Sequence, residues 1–268
     1  MNLTEAHETM AALVQDESRP GQIHLKVEGT VAHLRIDNPM ARSALTLAMM
    51  RDLVAAIQRL TEFEEGSLVV VSSTDPTAFC AGGHLADVER ALADPAAAER
   101  MSRAMTVALD ALSDLPMPSV AALDGLAIGG GAELAIACDW RIAAPKARIH
   151  FVHSKLGIAP GWGGTSRLVR IVGPAKALRI LTSARWISSG EAQQMGLVDK
   201  RCDGPVFDEA IAWCRSVLTR PTAAVRAVKK QIAAARYQDV EAASAAFGEV
   251  WGGEDHRRAL ERLERHRR

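Results

Sequence analysis

What this chain lacks narrows its reading first. It has no surplus of either charge: across 268 residues, 32 Lys and Arg balance 32 Asp and Glu. With no net field to draw it to nucleic acid or to an anionic membrane, any anionic ligand must be met by local groups. No window of about 18 uninterrupted apolar residues occurs, so no segment is expected to span a bilayer. The stretch 1–20 carries Glu5, Glu8, Asp16 and Glu17 and has no basic lead followed by a long apolar run, unlike a signal or transit peptide. Cys80, Cys138, Cys202 and Cys214 are widely spaced and form neither a CxxC nor a metal-ligand pattern. Reduced thiols in a cytoplasmic protein, with no metal, are the expectation. GxGxxG is missing, and no Gly-Lys-Ser/Thr follows a glycine cluster, which sets aside the dinucleotide and P-loop motifs. Neither a repeat of fixed period nor a low-complexity linker is visible.

What is present is a 48% apolar composition, enough to bury a sizeable core in one domain. After an N-terminal helix, 23–27 and 31–36 read as a β pair joined by Glu28-Gly29-Thr30 and closed by Asn38-Pro39. Residues 46–60 have helical period, and the Val-rich run 67–73 reads as a buried strand leading into Phe79-Cys80-Ala81-Gly82-Gly83 as a loop. A strand at 119–123 runs through Asp124-Gly125 to Ile128-Gly129-Gly130-Gly131, followed by a short helix at 132–138 and strands at 141–144 and 148–151. Beyond Gly161-Trp162-Gly163-Gly164 nearly everything reads as helix, with breaks near Gly173, Gly196, Gly204, Pro221 and Gly252-Gly253. The expected organisation is an extension at 1–20, an α/β core at 21–205 and a helical region at 206–268.

A single glycine-rich loop signals only a tight turn. Here two follow apolar strands, and each can present backbone amides where a helix begins, a partial positive charge suited to a small oxyanion. Glu133 lies three residues after Gly130 in the same helical turn, which puts a carboxylate on the side of that amide.

The strings Phe79-Cys80-Ala81-Gly82-Gly83, Asp124-Gly125-Leu126-Ala127-Ile128-Gly129-Gly130-Gly131-Ala132-Glu133-Leu134 and Pro160-Gly161-Trp162-Gly163-Gly164-Thr165-Ser166-Arg167-Leu168 resemble, in order and spacing, the signature loops of the enoyl-CoA hydratase/isomerase (crotonase) superfamily. Asn38-Pro39-Met40-Ala41-Arg42-Ser43-Ala44-Leu45 is similar to that family's early coenzyme A segment, so the resemblance covers roughly residues 20–260. It implies a spiral of ββα units with a C-terminal helical region that packs into trimers or paired trimers. It also implies an acyl-CoA substrate, with coenzyme A as part of that substrate and no separate cofactor. Gly83 and Gly130 would hold the thioester carbonyl oxygen, each such donor being worth about 3–4 kcal/mol in the transition state. Ala41, Arg42, Ala81 and Leu85 would line the coenzyme A site. His84 is either a site residue or a helix cap, and Trp162 either walls the acyl pocket or simply packs. Lys229 or Lys230 would meet phosphates or else lie on a solvated helix face. His150 is read as a strand residue, Cys80 and Cys138 as small buried groups, and Arg257 to Arg268 as a solvated helix.

Hydratases of this family use two glutamates, one aiming water at the β-carbon and one delivering a proton at the α-carbon. The first matches Glu133. The second should lie seven residues before Pro160, and that position holds His153, with no acidic residue anywhere from Arg148 to Trp162. Phe151-Val152-His153-Ser154-Lys155-Leu156-Gly157-Ile158-Ala159-Pro160 is similar to the ethylmalonyl-CoA decarboxylase branch of the superfamily, and Val250-Trp251-Gly252-Gly253 points the same way. On that resemblance the reaction is loss of CO2 from a short-branched malonyl thioester, with His153 or Glu133 protonating the α-carbon. The alternative is a hydratase or isomerase in which imidazole replaces the second carboxylate.

Overall fold

The computed structural model describes residues 1–18, 20–219 and 222–234, together with 257 and 260–262. The Val250-Gly253 segment, and all of 257–268 except 257 and 260–262, lie outside the described residues.

The chain starts with α1 (Leu3–Leu13), closed by a reciprocal cap between Asn2 and Glu5. Its buried positions, Ala6, Met10 and Leu13, recur at helical spacing and face α2 (Leu47–Thr61) and α4 (Pro95–Ser113). The hydroxyl of Thr46 caps α2 by accepting from Met49 N, and Leu53, Val54, Ile57 and Leu60 turn its apolar face inward.

Among the described residues the strands form two sheets. The larger runs β1 (Gln22–Glu28), β2 (Val31–Asp37), β3 (Leu68–Ser73), β5 (Ser119–Leu123), β7 (Trp140–Ala143) and β10 (Lys200–Arg201). Only β1 is antiparallel to its neighbour. The run Val69-Val70-Val71 is fully buried in β3, as expected of a central parallel strand covered on both faces, here partly by α9 (Val206–Val217). The smaller sheet runs β4 (Ala78–Cys80), β6 (Leu126–Ile128), β8 (Arg148–His150) and β9 (Ile187–Ser188).

Each of β3, β5 and β7 hands the chain from the larger sheet to the next strand of the smaller one. The helices α4 and α5 (Gly130–Ala135) then return it, so ββα units wind into the expected spiral. Four very short strands depart from the sequence reading. Residues 78–80 and 126–128 form β4 and β6 rather than loop, and β9 and β10 interrupt the region expected to be wholly helical. Each is only two or three residues long and is held by its neighbour's ladder, not by its own alternation.

Because β4, β6 and β8 are adjacent and parallel, their C-terminal ends emerge side by side. In open α/β sheets, ligands bind beyond such ends. The three segments leaving them carry Gly83, then Gly130 and Glu133, then His153.

Candidate active site

The two glycine loops touch. A Cβ on Gly82, whose φ is +88°, would lie 2.9 Å from the Ile128 carbonyl and 3.1 Å from Gly130 N, so only glycine permits this approach. Gly83 forms a parallel bridge with Leu45. The bridge is made by Leu45 N donating to the Gly82 carbonyl and His84 N donating to the Leu45 carbonyl, both 2.8 Å. In a parallel bridge the flanking groups take the pairing, so Gly83 turns its own NH away from Leu45. Gly129, at φ +53°, uses its NH on the His150 carbonyl at 2.8 Å and leads into Gly130, the first residue of α5. The Gly130 amide thus belongs to a first helical turn, where no intrahelical acceptor exists.

Glu133 is 1% exposed. Its Oε1 accepts from Trp162 N and Gly164 N, both at 2.8 Å, and its Oε2 lies 2.9 Å from His153 Nε2. Burial pushes this carboxyl up, but the His153 charge and hydrogen bond, with the two amides, outweigh burial and hold it below its ordinary value. His153, 6% exposed, opens a 3-10 turn (His153–Leu156) directly after β8. Its Nδ1 is buried and makes no hydrogen bond. The sequence pointed to both residues, but their mutual contact appears only in three dimensions.

The turn that supplies the two amides is braced from α4, for which the sequence carried no site signal. Ser102 Oγ donates to the Gly161 carbonyl at 2.5 Å, and buried Arg167 donates to the Trp162 and Thr106 carbonyls and to Asp110 Oδ1, the last at 2.6 Å. Ser102, Asp110 and Arg167 support the site and were not singled out. Trp162 is 4% exposed and lies against Gly130, where an added methyl would meet its ring at 2.3 Å. Its Nε1 points at Met101 Sδ, 3.3 Å away.

Ala41 and Arg42 sit where the 38–45 segment meets the 79–83 loop, because Ala81 N donates to the Arg42 carbonyl at 3.1 Å. Arg42 and Ser43 take left-handed φ values of 52° and 55°, costing about 1–2 kcal/mol each, which the fold sustains in a segment whose Arg42 side chain is exposed. His84 stands at the N-cap of α3 (Leu85–Ala91) without a side-chain cap bond, which removes the capping role considered for it. Leu85 is partly buried.

Lys229 needs correction. On α10 (Thr222–Ala234) it is neither a phosphate ligand nor solvated: it is 4% exposed, its Nζ pairs with Asp139 and donates to the Ser113 carbonyl at 2.8 Å. Lys230 is exposed. His150 is a β8 residue, as expected, with Nε2 2.8 Å from the Ala184 carbonyl. Cys80 and Cys138 are buried, and burial pushes both thiols up to about 12, which leaves them inert. A groove of about 460 Å³ between Pro118, Trp140, Leu218 and Val228 shares no residue with this cluster.

A ββα spiral with two abutting glycine loops and a buried carboxylate at its strand ends is the arrangement that the sequence resemblance implied. The chain belongs to the enoyl-CoA hydratase/isomerase family, whose profile matches residues 26–252. Among curated proteins it is 36% identical to ethylmalonyl-CoA decarboxylase of Xenopus laevis, over 90% of this chain and 83% of that one. It is 37% identical to that of Danio rerio (90% and 82%) and 34% identical to that of Homo sapiens (87% and 78%). Among solved structures, an enoyl-CoA hydratase from Bacillus anthracis matches with a TM-score of 0.75 at 28% identity, covering 92% of this chain and 96% of that one. An enoyl-CoA hydratase/isomerase from Mycobacterium paratuberculosis matches with a TM-score of 0.83 at 23% identity (92% and 100%), a likeness of fold.

Proposed function

We propose that this chain is a lyase that decarboxylates a short-branched malonyl-CoA, ethylmalonyl- or methylmalonyl-CoA. The observation that carries the reading is how firmly Glu133 is held: one oxygen accepts two amides and the other holds His153. A hydratase needs a carboxylate free to aim water, and the one in this cluster is already held by three donors. Decarboxylation needs no aimed water. The bond between the α-carbon and the carboxylate breaks, its electron pair enters the bond to the thioester carbon, CO2 leaves, and the negative charge settles on the thioester oxygen. The Gly83 and Gly130 amides form the oxyanion hole for that charge. The α-carbon then takes one proton. The naming of the curated relatives supports the same reading.

On this proposal coenzyme A enters as part of the substrate, lined by Ala41, Arg42, Ala81, His84 and Leu85, with Trp162 walling the acyl group. No metal or organic cofactor takes part. The enzyme works in the cytoplasm as a homotrimer or dimer of trimers, which light scattering on the purified protein tests. Among the described residues no helix is long and apolar enough to cross a membrane. The activity is tested by incubating the protein with ethylmalonyl-, methylmalonyl- and crotonyl-CoA and identifying products by mass spectrometry. Loss of CO2 from a malonyl thioester is expected. Hydration of crotonyl-CoA without any CO2 loss would establish the alternative, a hydratase working with imidazole.

A further inference from the structure

We infer that Glu133 is a positioning residue, and that the catalytic residue delivering the α-proton is His153, through Nδ1. The inference rests on the decarboxylase reading and assigns the one step which that reading leaves open.

A carboxylate accepts only, and Oε1 of Glu133 already accepts two backbone amides. These amides, with the His153 charge and hydrogen bond, outweigh burial, hold the Glu133 pKa below its ordinary value and keep the group ionised, so it has no proton to donate. Oε2, 2.9 Å from His153 Nε2, must therefore also accept, which places a proton on Nε2. That fixes the ring. Nε2 is committed to Glu133, and the only ring atom left for proton transfer is Nδ1.

Nδ1 is the atom that the protein leaves without a hydrogen bond in a residue only 6% exposed. A buried polar atom without a partner costs free energy, and a site tolerates it when a ligand completes it. The ring also lies beside the oxyanion loop: a Cβ on Gly129 would be 3.9 Å from His153 Nε2. In the step itself the Nδ1–H bond breaks, its proton forms the new C–H bond at the α-carbon, and the enolate electron pair supplies that bond. The thioester carbonyl is restored, and the ring is left neutral, keeping its proton on Nε2 and donating it to Glu133. Solvent returns a proton to Nδ1, so each turnover consumes one proton.

By microscopic reversibility, the group that protonates the enolate also removes the α-hydrogen of the saturated product. Exchange of the butyryl-CoA α-hydrogens in D2O, followed by mass spectrometry, reads this step apart from CO2 release. The wild type is expected to incorporate deuterium, and His153→Ala to slow incorporation by about 100-fold or more. Glu133→Gln presents an NH2 to Nε2 and reverses the tautomer, so it too slows exchange. The double variant E133Q/H153A is expected to match H153A within about twofold, because a residue acting through His153 adds nothing once the ring is gone. A double variant slower than H153A by the full E133Q factor, or an H153A protein exchanging as fast as wild type, overturns the inference.

Should the variants fail to fold, the wild type still decides it. Selective ¹⁵N labelling of histidine and long-range ¹H–¹⁵N spectra identify the protonated ring nitrogen of His153. Protonated Nε2 is expected, and bare Nε2 with protonated Nδ1 overturns the assignment. A wild type that exchanges butyryl-CoA but releases no CO2 from ethylmalonyl-CoA would sink the decarboxylase reading and leave the Glu133–His153 assignment standing.

Discussion

Replacing Gly164 by alanine strikes the hinge between the fold and the chemistry. Gly164 N is one of the two amides on Glu133 Oε1, at 2.8 Å, and α6 (Gly164–Val172) starts there. A Cβ at this position would stand 2.5 Å from Glu133 Cγ and 2.6 Å from Oε1. Neither partner has free room, because the carboxylate is 1% exposed and the turn is held by Ser102 and Arg167. To reach van der Waals contact the carboxylate must retreat by roughly 1 Å, which stretches both amide bonds beyond hydrogen-bond range. Losing one or two charge-assisted bonds costs about 2–4 kcal/mol and overpacking about 1–3. The better helix propensity of alanine returns up to about 1 kcal/mol. A net loss of about 2–7 kcal/mol lowers the melting temperature by roughly 4–28 °C in a chain of this size. Differential scanning calorimetry of wild type and G164A measures it. Gly190→Ala is the control: on α8 (Ser189–Gln194) the new methyl would meet only Arg201 Nη1, at 3.7 Å, and stability is expected to hold or to rise by up to about 1 kcal/mol. A G164A protein melting within about 2 °C of wild type would refute the claim that this turn clamps Glu133.

Other outcomes follow from the same contacts. Arg167→Met removes the guanidinium that ties Trp162 and Thr106 to Asp110. Arg167 is 3% exposed but Asp110 33%, so the cost should fall near the low end of the buried-pair range, about 3 kcal/mol, and urea unfolding measures it. Because Glu133 is held below its ordinary 4.5, its ionised form stabilises the fold fully above that pH. That contribution is lost as pH falls through the folded value, so E133Q should flatten the acid limb of the stability curve in calorimetry. His33 has the opposite chemistry and the same sign: burial foremost, then Arg35, holds it down to about 4 from 6.5. Between those values the unfolded chain binds more protons than the folded one, so stability falls as pH drops from 6.5 to 4, by at most ~1.4 kcal/mol per pH unit. His33→Gln should remove that slope in melts between pH 4 and 7 while leaving Glu133's limb below 4.5 in place.

Much of this arrangement was legible in the residues. The Val-rich run of β3 declares a doubly covered strand, and the paired glycine loops declare two backbone sites at strand ends. Counting back from Pro160 locates His153 in the position of an expected acid. What was hidden has a common cause. Strands of two or three residues, such as β4 and β10, are too short to show alternation and exist only through their ladder partners. Lys229 sits among helix-forming residues like any surface lysine, and only tertiary packing brings it to Asp139, 90 residues earlier. Ser102 braces the Gly161 carbonyl across 59 residues, a contact that no local pattern encodes. Glu133 and His153 likewise look like two independent groups until folding joins them, a contact on which the decarboxylase proposal rests.

The most direct measurement of the central claim sets CO2 release from ethylmalonyl-CoA against hydration of crotonyl-CoA, as kcat/KM values on one preparation of the wild-type protein. A ratio well above one is expected, with ethylmalonyl-CoA converted to butyryl-CoA and crotonyl-CoA left essentially unchanged. A ratio below one, with crotonyl-CoA taken to its 3-hydroxy product, would contradict it.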